Sequence, residues 1–280
     1  MMDKLYNPVL MKEMKLRFRS FKSFSGLLFY LAVLCIFITG FVLIATEFKG
    51  YGYIEPTMSY GLFVLLSIVQ MALVMFITPG VTAGAISSER EKQTLNILLT
   101  TTQSSSQLII GKLVSSIAFI VLMLIAGLPI YSLVFLFGGV SPTQMITTFA
   151  FYFVTLVTIG SIGIFFSTIT KKTIVAMIAT YGAMIFLGAI TAFLFFVSMI
   201  MSQSGVAPTL GGYLAYLFAA INPGALIITL TTPELTQVFQ EMTGVTIPVW
   251  ITYLAFYSAV TFFCLIGAIK KLRANMKTQR

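Results

Sequence analysis

The chain is 280 residues long, 58% hydrophobic and only 9% charged. A soluble globular domain carries about 25% charged residues, so this composition excludes one and describes a single integral membrane domain with little mass outside the bilayer. The formal net charge of +9 invites a nucleic-acid reading. The basic residues flank apolar runs, however, as membrane-protein loops do, which argues against nucleic acid as a partner.

The first 25 residues are amphipathic at helical spacing. Leu10, Met14, Phe18 and Phe21 share one face, and Lys12, Lys15, Arg19 and Lys22 line an adjoining one. An apolar face beside a basic one predicts an interfacial helix over 8–25, its cations near anionic lipid head groups. A span needs about 20 apolar residues to cross roughly 30 Å of hydrocarbon. Six segments qualify: 26–45, 60–78, 113–137, 145–166, 174–201 and 248–269. None of them contains a charged residue. Cys35 and Cys264 both fall within these segments, which suits buried apolar roles better than a disulfide.

Polar connections separate the spans. The connection after the second span, with a cytoplasmic coupling segment over 84–111, is long. Those at 138–144 and 167–173 are tight, and 202–247 is long again. Within that last connection, 213–230 is apolar enough for a seventh span, but Asn222-Pro223-Gly224 interrupts it at its centre. Proline removes a helical hydrogen bond and biases the preceding residue away from helix. The segment is therefore expected to form two short helices that dip into the bilayer or pack on the bundle, with protein covering the break. Six spans also put sixteen of the seventeen Lys and Arg residues on one side, leaving Lys49 alone on the other. Such a bias marks the cytoplasmic side, and both termini are expected there.

The spans lack the chemistry of an ion-coupled carrier, because there is no histidine and no intramembrane carboxylate. The sequence has no phosphate-cradling G-x-x-x-x-G-K-[ST] loop, and its membrane region has no nucleophile–base pair or metal-ligand cluster. Gln70 is the conspicuous polar side chain within a span. It either lines a route or hydrogen-bonds a neighbouring helix. In the fifth span Gly182, Ala183, Gly188 and Ala189 are small enough for close helix approach, a candidate dimer interface.

The connection after the second span reads SSEREKQTLNILLTTTQSSSQLIIGK. Alternating charges at Glu89, Arg90, Glu91 and Lys92 precede Thr94 and a leucine edge at Leu95, Leu98 and Leu99. This is either a surface helix that docks into a partner's groove or a solvated loop packed on the bundle. The string resembles the signature of permease subunits of type-2 ATP-binding-cassette (ABC) exporters. In that family an acidic–basic cluster precedes a Gly-Thr pair, a leucine-rich turn, a proline-containing break and a Gly-Lys pair that opens the third span. Glu89, Arg90, Glu91, Thr94, Leu98, Gly111 and Lys112 match. Gln93 stands in the place of the glycine, and Thr101-Thr102-Gln103-Ser104 replaces the break. NPVLMKE near the N-terminus, FFSTITKKT between spans four and five, and AAINPGAL before the last span extend the resemblance over most of the chain.

The resemblance implies an all-α permease of six transmembrane helices in a cell membrane of bacterial type. It implies an N-terminal interfacial helix, a cytoplasmic coupling helix between spans two and three, and outer helices between spans five and six. The implied partners are soluble ABC ATPase subunits, which hold ATP and Mg while this chain binds no cofactor itself, and a second permease subunit, the same or different. Membrane lipid surrounds the assembly. The implied activity is export of a hydrophobic or amphiphilic compound without catalysis by this chain. Two alternatives are a membrane sensor or anchor working with an ATPase, and an energy-independent channel or secondary carrier.

Overall fold

In hydrocarbon an apolar segment has to pair its own backbone groups, and the helix is the form that does so within one segment. The computed structural model describes residues 21–49, 56–95, 104–136, 138–203 and 208–278, and no strand occurs among them. Lys12, Lys15, Phe18 and Arg19 of the expected interfacial helix, and Leu98 and Leu99 of the leucine edge, lie outside the described residues. Phe21 and Lys22 begin the first helix itself, α1 (Phe21–Lys49). It is followed by α2 (Pro56–Thr82), the short α3 (Ser87–Glu91), α4 (Ser105–Leu136) and α5 (Pro142–Ile169). Next come α6 (Thr173–Ile185), a π turn (Phe186–Ile190) and α7 (Thr191–Gln203). The chain ends in α8 (Pro208–Ile221), α9 (Pro223–Thr231), α10 (Pro233–Thr243) and α11 (Val249–Thr278). Six helical stretches are long and apolar enough to cross a membrane: Ser23–Ile44, Met58–Glu91, Ser105–Val134, Pro142–Ile169, Thr173–Gln203 and Val249–Leu272.

Helices α2, α4 and α5 make the centre of the bundle, and their apolar side chains form the largest core cluster. Tyrosine hydroxyls pin neighbours to α2. Tyr131 donates to the Leu66 carbonyl at 3.0 Å and Tyr152 to the Ser67 carbonyl at 2.9 Å. Tyr30 donates to Gln70 Oε1 at 2.8 Å, so Gln70 is fully buried against α1. Close approach of α2 and α5 needs Gly163, because a Cβ there would overlap the Thr82 hydroxyl and crowd the Thr82 Cβ at 3.0 Å. Helix α11 lies along α5, where Tyr253 meets Thr155 at 2.6 Å and Thr261 meets Thr158 at 2.9 Å.

Helix α4 begins at Ser105, ahead of the apolar run that starts at 113, and carries Lys112, which is buried beside an acidic side chain. One expectation is corrected. Cys35 is exposed rather than buried, since α1 is peripheral and turns much of its surface outward; Cys264 is half-buried, and both are free.

The apolar stretch before the last helix is not one straight span. Helices α8 and α9 meet at an elbow of 93° at Asn222. Pro223 occupies the first turn of α9, where its missing N–H costs nothing, and Asn222 caps that turn.

Candidate functional site

Five residues of α3 are too few to hold a helix alone in water, because nucleation fixes several dihedrals for one hydrogen bond. Partners elsewhere hold this one. The residue preceding α3, Ile86, supplies no capping side chain. Instead the Ser167 hydroxyl, near the end of α5, accepts from both the Ile86 and Ser87 amides at 2.9 Å each. A serine 80 residues away thus does what a local N-cap does elsewhere.

The three charged side chains of α3 leave in three directions. Glu89 Oε1 accepts from Lys112 Nζ at 2.6 Å, joining α3 to α4. The lysine side chain is 5% exposed and the glutamate 20%, so solvent screens this pair weakly. Arg90 reaches the end of α5, donating from Nη1 to Thr170 O at 2.5 Å and from Nη2 to Thr168 O at 3.0 Å. Carbonyls at a helix C-terminus lack intrahelical partners and carry partial negative charge. A two-pronged guanidinium suits them. Glu91 faces the opposite problem at the start of α6. Its two oxygens accept from the Thr173 amide at 2.9 Å and the Thr173 hydroxyl at 2.8 Å. Lys172 provides no side-chain cap for that helix, so the carboxylate serves as the cap and meets the positive end of the helix dipole.

The junction therefore ties one short segment to α4, α5 and α6 at the basic end of the bundle. Beyond it the chain turns outward. Lys92, Gln93 and Thr94 are exposed. Gln93 has a φ of 59°, the one positive φ of a non-glycine residue among the described residues. That conformation costs an L-residue roughly 1–2 kcal/mol, which gives a physical reason for a glycine at this place in the signature. Thr94 folds back, its amide donating to Glu89 O at 2.9 Å and its hydroxyl at 3.2 Å. Leu95 is buried in the main core.

The other site residues read from the sequence separate. Gln70 sits in the core rather than at a surface of the chain. In the fifth span Gly182 and Ala189 are exposed, while Ala183 and Gly188 are partly covered. Apart from its own stretch of helix, no heavy atom lies within 4 Å of where a Cβ on Gly182 would stand, and one on Gly188 would meet Met75 Cε at 3.3 Å. Sequence reasoning missed Ser167, Thr168, Thr170 and Thr173. Their only signal was the run of hydroxyl residues in the tight basic turn. Among the described residues no group of His, Cys, Asp and Glu is placed to hold a metal ion.

A bundle of six apolar helices, tied at one end by charged side chains that bind helix termini, defines a multi-pass membrane protein. Its class follows from the family comparison: the model described as "ABC-2 family transporter protein" matches residues 80–269, more than half of the chain and including the whole junction. The chain belongs to that family and is a permease component of an ABC transporter, a transport part rather than a catalytic one; membership implies an ABC ATPase as partner. No curated protein sequence matches the chain.

Proposed function

We propose that the chain forms the translocation path of an ATP-driven exporter for a hydrophobic or amphiphilic compound, such as a drug, a peptide antibiotic or a lipid-linked molecule. The basic end faces the cytoplasm, as the Lys and Arg bias suggests. A soluble ATPase subunit, carrying ATP and Mg, presses on the exposed turn at Lys92, Gln93 and Thr94. Two permease subunits pair so that the path lies between them, with the exposed Gly182 and Ala189 near the contact.

The observation that carries this reading is the three-way grip of α3. A push on the exposed turn has no slack to absorb it: Glu89, Arg90 and Glu91 pass it to the ends of α4, α5 and α6. Bundles respond to such a push by switching between discrete packings rather than by bending continuously. Charge-free spans suit an apolar cargo better than an ionic one.

Purification of the native complex, with mass spectrometry of its subunits and any retained small molecule, tests the reading. A soluble ATPase and an apolar compound should accompany the chain, and the chain alone should hydrolyse no ATP. Robust hydrolysis by the chain free of other subunits overturns the proposal.

A further inference from the structure

The fifth span is interrupted midway by the π turn Phe186–Ile190. The Thr191 N–H reaches back to Phe186 O, five residues earlier, instead of four. Such a turn carries one residue more than an α turn, and π turns concentrate at functional positions. Nothing in its sequence, FLGAI, demands it: there is no proline, and a single glycine does not widen a turn. The cause is across the elbow. Asn222 Nδ2 donates to Gly188 O at 2.7 Å and to Thr191 Oγ1 at 2.8 Å. The Thr191 hydroxyl in turn donates to Leu187 O at 2.6 Å. Through this pair of bonds one amide group holds two carbonyls inside the turn. Meanwhile Asn222 Oδ1 accepts from the Ala225 amide at 3.0 Å and caps α9. Asn222 is 5% exposed, and both N–H groups and its oxygen are used. The preceding residue is held as well, with Tyr257 of α11 donating to Ile221 O at 3.0 Å.

We propose that Asn222 is a positioning residue for transport, which holds the fifth span in its π-turned register and locks the α8–α9 elbow to it. If the π turn closes to α without loss of a residue, the two halves of the span rotate against each other by about 100° and shift by about 1.5 Å. Gly188 O and Thr191 Oγ1 then leave the amide, and the elbow is released. The first half of the same span is held at its start by Glu91. A rotation imposed at the basic end is therefore converted, at the π turn, into release of the helices at the far end. This last step rests on the coupling reading above, whereas the grip on the π turn does not.

The test uses the full chain in lipid nanodiscs and four variants. Asn222→Ser keeps a short side-chain acceptor that can cap α9 but cannot reach Gly188. Its amides over 187–191 should exchange at least tenfold faster with deuterium, while those of α9 stay within twofold of the parent. Asn222→Ala should raise exchange in both regions. Deleting Ala189 removes the extra residue, so α6 and α7 join in continuous α-helix with their registers kept. This variant should insert and stay monodisperse, whereas deleting Ala179 in the regular part of α6 should not. Equal protection of 187–191 in the parent and Asn222→Ser, or misfolding of both deletions alike, overturns the proposal.

The coupling step is read in the complex with its ATPase, from spin labels at Thr143 and Thr209 with both native cysteines replaced. The parent distance should shift with ATP, and the shift should vanish without Ala189. A shift that survives the deletion overturns the conversion step. A parent whose distance ignores ATP overturns the coupling reading, and the exchange result still decides the role of Asn222.

Discussion

The basic-end junction and the far-end elbow solve one problem with different chemistry. Each must satisfy helix ends and join the fifth span to the rest of the bundle. At the junction charged groups do this: Arg90 on the last carbonyls of α5, Glu91 on the first amide of α6. At the elbow a neutral carboxamide does it. The difference follows from burial: Asn222 is enclosed, whereas Arg90 is partly exposed and Glu91 exposed. A charge taken out of water is expensive unless paired, while one that keeps contact with water is supported by it. A carboxamide has both a donor and an acceptor, so it can hold a carbonyl and cap an amide without any charge.

Breaking the junction at its most charged point should have the largest effect. Arg90→Glu sets a carboxylate against the negative end of α5 and removes two charge-assisted bonds, each worth about 1.5–3 kcal/mol. The variant should lose several degrees of melting temperature in detergent. Transport coupling should be lost even where ATPase still copurifies.

The Glu89–Lys112 pair gives a sharper measurement. Reversing either charge alone should cost about 3 kcal/mol, because it leaves a poorly solvated charge unpaired. The double reversal, Glu89→Lys with Lys112→Glu, should recover most of that loss. A thermodynamic cycle with no recovery would mean that the two groups are not coupled.

Thr173→Val separates the two bonds of Glu91. It removes the hydroxyl donor and leaves the backbone amide, so the loss should be about 1 kcal/mol, read by thermal unfolding. Gln93→Gly should move stability in the opposite direction, by up to about 1 kcal/mol, by relieving the positive φ. The smallest effect on folding, within about 0.5 kcal/mol, belongs to Lys92→Ala at the exposed tip. Lowered recovery of ATPase with an otherwise stable Lys92→Ala chain would place the partner there.

The apolar runs determined the spans, because about 20 consecutive apolar residues have few other options in water or lipid. The break at Asn222-Pro223 was legible for a local reason, since proline acts on its own helix and on the residue before it. The leucine edge was half legible: Leu95 joins the core, but its position in sequence did not say which helices it would meet. The helices outrun the apolar runs. Ser105 begins α4 ahead of its hydropathic core because a helix persists through polar residues once its ladder is formed.

The ordering of the polar residues was beyond the sequence. The sequence left Glu89, Arg90 and Glu91 either on a docking helix or in a solvated loop, and did not say that their side chains meet Lys112, Thr168, Thr170 and Thr173 within the same chain. The π turn shows no mark in its own residues. Arg90 and the α5 carbonyls are about 80 residues apart, and Asn222 lies 34 residues from Gly188. Composition and periodicity act over one helix and so decide where helices form. Which orphaned helix ends meet which side chains depends on how the helices pack together, and only the tertiary structure decided that.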